Sequence, residues 1–279
     1  MMPSLLRQQL REQGIHPSRK LGQNFLTDKN WIQKTTEGSY IGPGDTVIEI
    51  GPGLGALTVA LLEAGAEVWA VELDHRIYEW LQRELIPLYP KSFHLMQGDA
   101  VTWPKASLTG IKTTKILANL PYAITSPWLD ALLMDQGSLP MELHLILQKE
   151  AADRLTASPG TKEYGPMSIR LQLCYKCTSW QNIPSSAFYP EPQVESRLVH
   201  WSLIDNPIRI HPTILSFLKK SFLHRRKQIH KCVRQMLPED IGENWLKDMS
   251  TYGLGSGVRP EEIPVAAWRD LHEKIEAAL

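Results

Sequence analysis

The segment Thr46–Leu62, TVIEIGPGLGALTVALL, leaves the rest of the chain the least freedom. Val47, Ile48 and Ile50 form a short apolar run that reads as a buried strand, and Leu54–Glu63 is compatible with a helix. Gly51, Gly53 and Gly55 make the turn between them. Glycine has no Cβ, so it accepts positive φ and lets backbone approach a small molecule at the carboxyl end of a strand, beside a helix N-terminus. The pattern predicts a nucleotide-type cofactor site. Alone it is also compatible with a tight turn that binds nothing, and Gly51-x-Gly53-x-x-Ala56 satisfies the loose dinucleotide fingerprint.

The following residues repeat the unit. Glu67–Val71 reads as a second strand that closes on Glu72, where a carboxylate can accept hydrogen bonds from two ribose hydroxyls; the alternative is a neighbour of the cap of a helix over 75–86. A third strand, Phe93–Gln97, runs into Gly98-Asp99, and Asp99 is placed to bond an adenine amino group. A fourth, Lys115–Ala118, delivers Asn119-Leu120-Pro121-Tyr122: an amide, a proline without N–H and an aromatic ring, suited to an amino group on a flat heterocycle. A helix over Pro127–Met134, an apolar run Leu143–Leu147, a helix over Lys149–Ala157 and a last strand Arg197–Ile204 continue the alternation. Strands alternating with helices predict an α/β fold with a mostly parallel sheet covered on both faces. Two loops stand out: Pro17–Asp28, with the amides Gln23 and Asn24, and the proline-stiffened Phe188–Ser196.

The 279 residues suit one large and one small domain. No run reaches the ~18 apolar residues of a membrane span, and Met1–Ile15 is broken by Arg7, Arg11 and Glu12 where a signal peptide would be apolar, so a cytoplasmic location is expected. Cys174 and Cys177 have C-x-x-C spacing without a second ligand pair, which predicts buried thiols and not zinc. Lys plus Arg equals Asp plus Glu at 30 each, so any nucleic-acid contact must come from where the charges lie. Asp205-Asn206-Pro207 is a composition break; beyond it Ile214–Leu223, Gln228–Met236 and Pro264–Ile275 read as helices. From Asn206 to Pro238 there are eight Lys or Arg and no acid, so this basic block is expected to lack local partners.

In order along the chain, LGQNFL (Leu21–Leu26), IEIGPGLGALT, VELD, GDA, NLPY, Tyr164-Gly165, FYPEPQVES, Arg225-Arg226-Lys227 and Arg259-Pro260-Glu261-Glu262 resemble the KsgA-type ribosomal RNA adenine dimethyltransferases. These are class I enzymes that use S-adenosylmethionine. The resemblance implies a Rossmann-like, seven-stranded, mostly parallel sheet over about 1–205 and a small all-α RNA-binding domain over about 206–279. It implies cofactor contacts at Asn24, Leu26, Gly51, Glu72, Asp99 and Asn119, and catalytic roles for Asn119, Leu120, Tyr122 and Phe188, the two rings holding the target adenine. Arg225, Arg226 and Lys227 would contact RNA. The implied reaction dimethylates two adjacent adenosines near the 3' end of small-subunit (16S) ribosomal RNA within a pre-30S-like particle. Methyl transfer from a sulfonium is an in-line displacement that needs no metal, and a sequence with no dimer seam is expected to be a monomer. The rivals are a macrolide-resistance type of large-subunit RNA methyltransferase, a noncatalytic ribosome assembly protein and, more distantly, a nicotinamide dehydrogenase.

Overall fold

The computed structural model describes residues 16–18, 21–106, 114–255 and 257–278; the charge-broken segment Met1–Ile15 lies outside them. The chain divides into two compact units, Met1–Ala152 with Cys177–Leu203, and Asp153–Lys176 with Ile204–Leu279. The composition break at Asp205 falls at the third and last crossing between the units, but 153–176 joins the helical unit, where a simple split at 205/206 would have left it with the sheet.

In the first unit, β1 (Phe25–Leu26), β2 (Thr46–Ile50), β3 (Glu67–Glu72), β4 (Phe93–Gln97), β5 (Thr114–Asn119), β6 (Glu142–Gln148), β7 (Tyr175–Ile183), β8 (Phe188–Tyr189) and β9 (Ser196–Leu203) are joined by helices. These are α1 (Lys29–Glu37), α2 (Ala56–Glu63), α3 (His75–Glu84), α4 (Thr125–Met134) and α5 (Lys149–Leu155). Seven strands form one sheet in the order β4-β3-β2-β5-β6-β9-β7, and β1 and β8 form a separate pair. The pairings from β4 across to β6 are parallel and β9 is antiparallel to β6. Val47, Ile48 and Ile50 are each at most 1% exposed, which explains why β2 reads as an unbroken apolar run: helices cover both of its faces.

The strand order reverses between β2 and β5. Successive strands build outward from β2 through β3 to β4, and in the other direction from β5 to β6, so the carboxyl ends of β2 and β5 flank a crevice. Three strands escaped the sequence reading, as did the helices over Pro166–Gln172 and Glu239–Asp248 in the second unit. β7 has exposed residues through most of its length and shows no alternating pattern. The ladder β1–β8 is only two residues long on each side, pairing Phe25 with Tyr189 and Leu26 with Phe188. Asp28 does cap α1, its side chain accepting from the N–H groups of Asn30 and Trp31.

The second unit contains α6 (Pro166–Gln172), α7 (Pro212–Leu223), α8 (His230–Met236), α9 (Glu239–Asp248) and α10 (Val265–Glu276). Its core is aromatic: the Phe217 ring lies 5.9 Å from both Trp245 and Trp268, whose own centroids are 5.4 Å apart. The Trp245 indole N–H donates to the Ala267 carbonyl at 2.7 Å, so the polar end of this ring is satisfied. The Tyr164 hydroxyl donates to the Ile263 carbonyl at 2.9 Å, tying the Tyr164-Gly165 segment into the same core. Cys174 is buried, its thiol donating to the Ile208 carbonyl, whereas Cys177 on β7 is only partly buried, short of the buried thiol expected.

A buried histidine pair crosses β6 and β9. His144 and His200 face each other in register, Nδ1 to Nδ1 at 2.9 Å, and the His144 Nε2 meets Glu142 at 2.8 Å. Burial lowers His200 to about 4, and the neighbouring His144 adds to this while Glu142 opposes it. A histidine depressed below its ordinary 6.5 stabilises the fold fully above that value and withdraws this contribution as pH falls toward 4. Thermal unfolding should therefore show an acid-sensitive loss between pH 6.5 and 4, bounded at about 3 kcal/mol by the size of the shift. His200→Gln should make that part of the pH profile shallower than wild type; an unchanged profile would remove His200 as its source.

Candidate active site

All three turn glycines adopt the left-handed conformation, with φ of 68° at Gly51, 54° at Gly53 and 73° at Gly55. The first two differ in what surrounds them. A Cβ built on Gly53 would lie 2.9 Å from the Phe25 ring, while one on Gly51 meets nothing within 4 Å, because Gly51 borders an open cleft. The cleft is lined by Gln23, Asn24, Gly51, Glu72, Asp99 and Asn119, among others, and Leu120 and Tyr122 extend it. The sheet puts these residues together: Gly51 follows β2, Glu72 ends β3, Asp99 follows β4 and Asn119 ends β5.

The acids are held differently. Glu72 is 6% exposed, with Oε1 accepting from the Asp74 N–H at 2.8 Å and Oε2 from the Gly53 N–H at 3.3 Å. These bonds aim the carboxylate across the glycine turn. Burial nevertheless pushes Glu72 up to about 7: the backbone donors lower it but offset burial only in part, and the nearby Asp74 charge adds to the rise. Asp74 caps α3, and its bonds to the Arg76 guanidinium hold it below the usual carboxylate range. The Gln23 amide donates to the same Asp74 carboxylate at 3.1 Å, which ties the upstream loop to the end of β3. Asp99 Oδ1 accepts from the Val101 N–H at 2.8 Å, and the residue lines the cleft.

Asn119 has a defined orientation. Its Nδ2 donates to the Asn24 carbonyl at 2.8 Å, so Oδ1 is left as an acceptor. Among the described residues no backbone donor reaches the Leu120 carbonyl, and the next residue, Pro121, has no N–H. The Tyr122 hydroxyl bonds Ser196 at the start of β9, and burial raises its ionisation above the ordinary phenol value. Two expected contacts lie elsewhere. Leu26 and Phe188 are 4% and 5% exposed, pair across the β1–β8 ladder and pack into the core of this unit, outside the cleft lining. Gln23 and Phe25 line the cleft and were not singled out as contacts; their place in the amide-rich LGQNFL block was the available signal.

In the helical unit, the basic triplet is not uniform. The Arg225 guanidinium pairs with Glu261 and donates to the carbonyls of Thr161 and Lys162. The block has no acid within it, but Glu261, distant in sequence, folds back onto Arg225. Arg226 and Lys227 are exposed, and no ion pair among the described residues involves them. Lys227 shares a concavity with Lys220, His224, His230 and Lys231, which concentrates positive charge on one face.

A sheet ordered this way, with one antiparallel strand set between β6 and the edge, is that of the class I methyltransferases. A dimethyladenosine transferase from Plasmodium falciparum shares the fold at 22% identity and a TM-score of 0.74, over 91% of this chain and 98% of that one. The 23S rRNA methyltransferase ErmE does so at 22% identity and a TM-score of 0.64, over 91% and 100%. Residues 16–276 match the family described as ribosomal RNA adenine dimethylase, and the chain belongs to that family. It is 45% identical to the ribosomal RNA small subunit methyltransferase A of Opitutus terrae, over 97% of this chain and 98% of that one. With the protein of the same name from Pseudomonas fluorescens the identity is 33% over 95% of each. The enzyme is thus an rRNA adenine dimethyltransferase, and its family implies S-adenosylmethionine as methyl donor.

The open space at Gly51 and the carboxylate aimed across the turn fit such a cofactor. Gly51→Val places a side chain in the cleft at a backbone cost of about 1–2 kcal/mol, and should abolish S-adenosylmethionine binding in calorimetry while the protein still melts cooperatively. Gly53→Val should instead displace the Phe25 ring and lower the melting temperature. The same loss of stability at both positions would show that Gly51 does not face the ligand.

Proposed function

We propose that this enzyme transfers methyl groups from S-adenosylmethionine to the exocyclic amines of two adjacent adenosines near the 3' end of small-subunit ribosomal RNA, and acts as a cytoplasmic monomer on a pre-30S-like particle. The observation that carries the chemistry is the Asn119 amide pinned by the Asn24 carbonyl, which presents Oδ1 beside the unengaged Leu120 carbonyl. The names of the relatives, ribosomal RNA small subunit methyltransferase A, support the substrate. No helix among the described residues is long and apolar enough to cross a membrane.

When bound, S-adenosylmethionine supplies an electrophilic methyl group on a sulfonium. The protein's task is the nucleophile. An adenine amine is poor because its lone pair is delocalised into the ring, so the site must bond its hydrogens and fix its plane. Asn119 Oδ1 and the Leu120 carbonyl accept the two N–H groups, and the Tyr122 ring, held by its hydroxyl at Ser196, sets the plane. Phe188 contributes by supporting β1 from within the core, and Leu26 carries the ladder that positions Asn24. On the cofactor side, Glu72 accepts the ribose hydroxyls, Asp99 the adenine amino group, and Gly51 admits the methionine end. A second transfer to the same amine needs one remaining N–H bonded in the same place.

The decisive test is radiolabelled methyl transfer to undermodified small subunits, compared with large subunits and naked RNA; label entering only large subunits would support the macrolide-resistance type instead. Asn119→Ala should lower single-turnover methylation by about 10²-fold, with cofactor affinity measured separately, and a near-normal rate would dismiss the proposed role. RNA docking is assigned to Arg226 and Lys227, whereas Arg225 serves the fold. Arg226→Ala with Lys227→Ala should reduce the log–log salt slope of subunit binding by about 1.5, at ~0.7–0.9 per phosphate contact. Arg225→Ala should lower the melting temperature more than the slope, and the reverse pattern would restore Arg225 as a phosphate contact.

A further inference from the structure

The glycine turn is bordered by more buried acid than methyl transfer itself uses. Glu49 lies on β2 two residues before Gly51 and is 1% exposed. Its Oε2 accepts the Thr58 hydroxyl of α2 at 2.6 Å, and among the described residues no donor reaches Oε1. Together with Phe25, Gly51, Gly53 and Asn119 it lines a recess that shares those four residues with the cofactor cleft. Glu72, on the adjacent strand, lies within electrostatic reach and adds to the upward push that burial gives Glu49, to about 8.

The groups facing this pair are Thr58 from α2, the Gly53 and Asp74 N–H groups, and the Asp74 carboxylate, whose charge is already matched by Arg76 and the Gln23 amide. No Lys, Arg or His among the described residues forms an ion pair with Glu49 or Glu72. Two buried carboxylates without a cation cannot both be ionised cheaply. Either a proton or a bound positive charge must make up the deficit.

We propose that Glu49 and Glu72 hold one proton between them in the free enzyme and release it when S-adenosylmethionine binds, so that the site discriminates the positively charged methyl donor from its neutral product. The proposal rests on the cofactor reading above. The step is a proton transfer alone: the carboxyl O–H bond breaks, the electron pair stays on the carboxylate and the proton passes to solvent. S-adenosylmethionine carries one positive charge more than S-adenosylhomocysteine, which is a net-neutral zwitterion. Loss of that charge on methyl transfer leaves the pair overcharged until it takes a proton back, and this penalises the retained product. Successive transfers to one amine require that exchange.

Calorimetric titration of the wild-type enzyme near pH 7, in buffers of different ionisation enthalpy, counts the protons released. Between about half and one should leave per S-adenosylmethionine bound and almost none per S-adenosylhomocysteine. Affinity for the donor should rise by up to about tenfold per pH unit between pH 6 and 8, with that for the product nearly flat. Equal release with the two ligands, or none with the donor, overturns the proposal while leaving the cofactor reading intact; absence of donor binding at any pH overturns both. Glu49→Gln keeps the size of the protonated acid and should bind the donor at pH 6 without proton release and with a reduced preference over product. Wild-type release in that variant would overturn the role of Glu49, and if it does not fold, the wild-type proton count decides.

Discussion

Everything at the candidate site depends on the parallel pairing of β2 with β5, in which Ile50 stands beside Ala118. The residue after each partner is Gly51 or Asn119, so this register alone sets the glycine turn against the amide tip. β3 and β4 then add Glu72 and Asp99 along the same edge. A slip of one residue in β2–β5 would turn Asn119 to the other face of the sheet and break its bond to Asn24. Complete burial of Val47, Ile48, Ile116 and Leu117 opposes such a slip, because each side chain is close-packed on its own side of the sheet and would have to be repacked.

The parallel core was legible because its strands are short apolar runs punctuated by glycine, an acid or Asn-Leu-Pro-Tyr. Glu72, Asp99 and Asn119 could be placed from strand ends alone, since a strand end in such a sheet is also an edge of the crevice. What stayed hidden depends on long-range contacts. β7 carries little apolar pattern because most of its residues meet solvent. Arg225 looked unpaired because Glu261 is 36 residues away along the chain. Phe188 looked like a base-stacking ring, for an aromatic beside two prolines has the same composition whether it faces a ligand or fills a core.

The buried acids and the buried histidines apply the same physics at different places in one sheet. Glu49 and Glu72 are pushed toward neutrality by loss of water, with donors too few to reverse it. His200 is pushed toward neutrality as well, but for a base that means a lower value. The acids have a positively charged ligand available to relieve them, whereas the His144–His200 pair is closed in by β6 and β9 and affects only the fold.

The two-residue β1–β8 ladder imposes a matching rule on chain lengths. Phe25 and Leu26 are bonded to Tyr189 and Phe188, and the Thr27 and Asp28 N–H groups both donate to the Ala187 carbonyl. Asn24, immediately before this clasp, must still reach Asn119 at the tip of β5. An insertion or deletion between Gln23 and Asp28 would therefore have to be compensated within Ala187–Tyr189. Two loops more than 150 positions apart must thus change length together, which predicts correlated gaps in this pair of segments across divergent descendants of the gene.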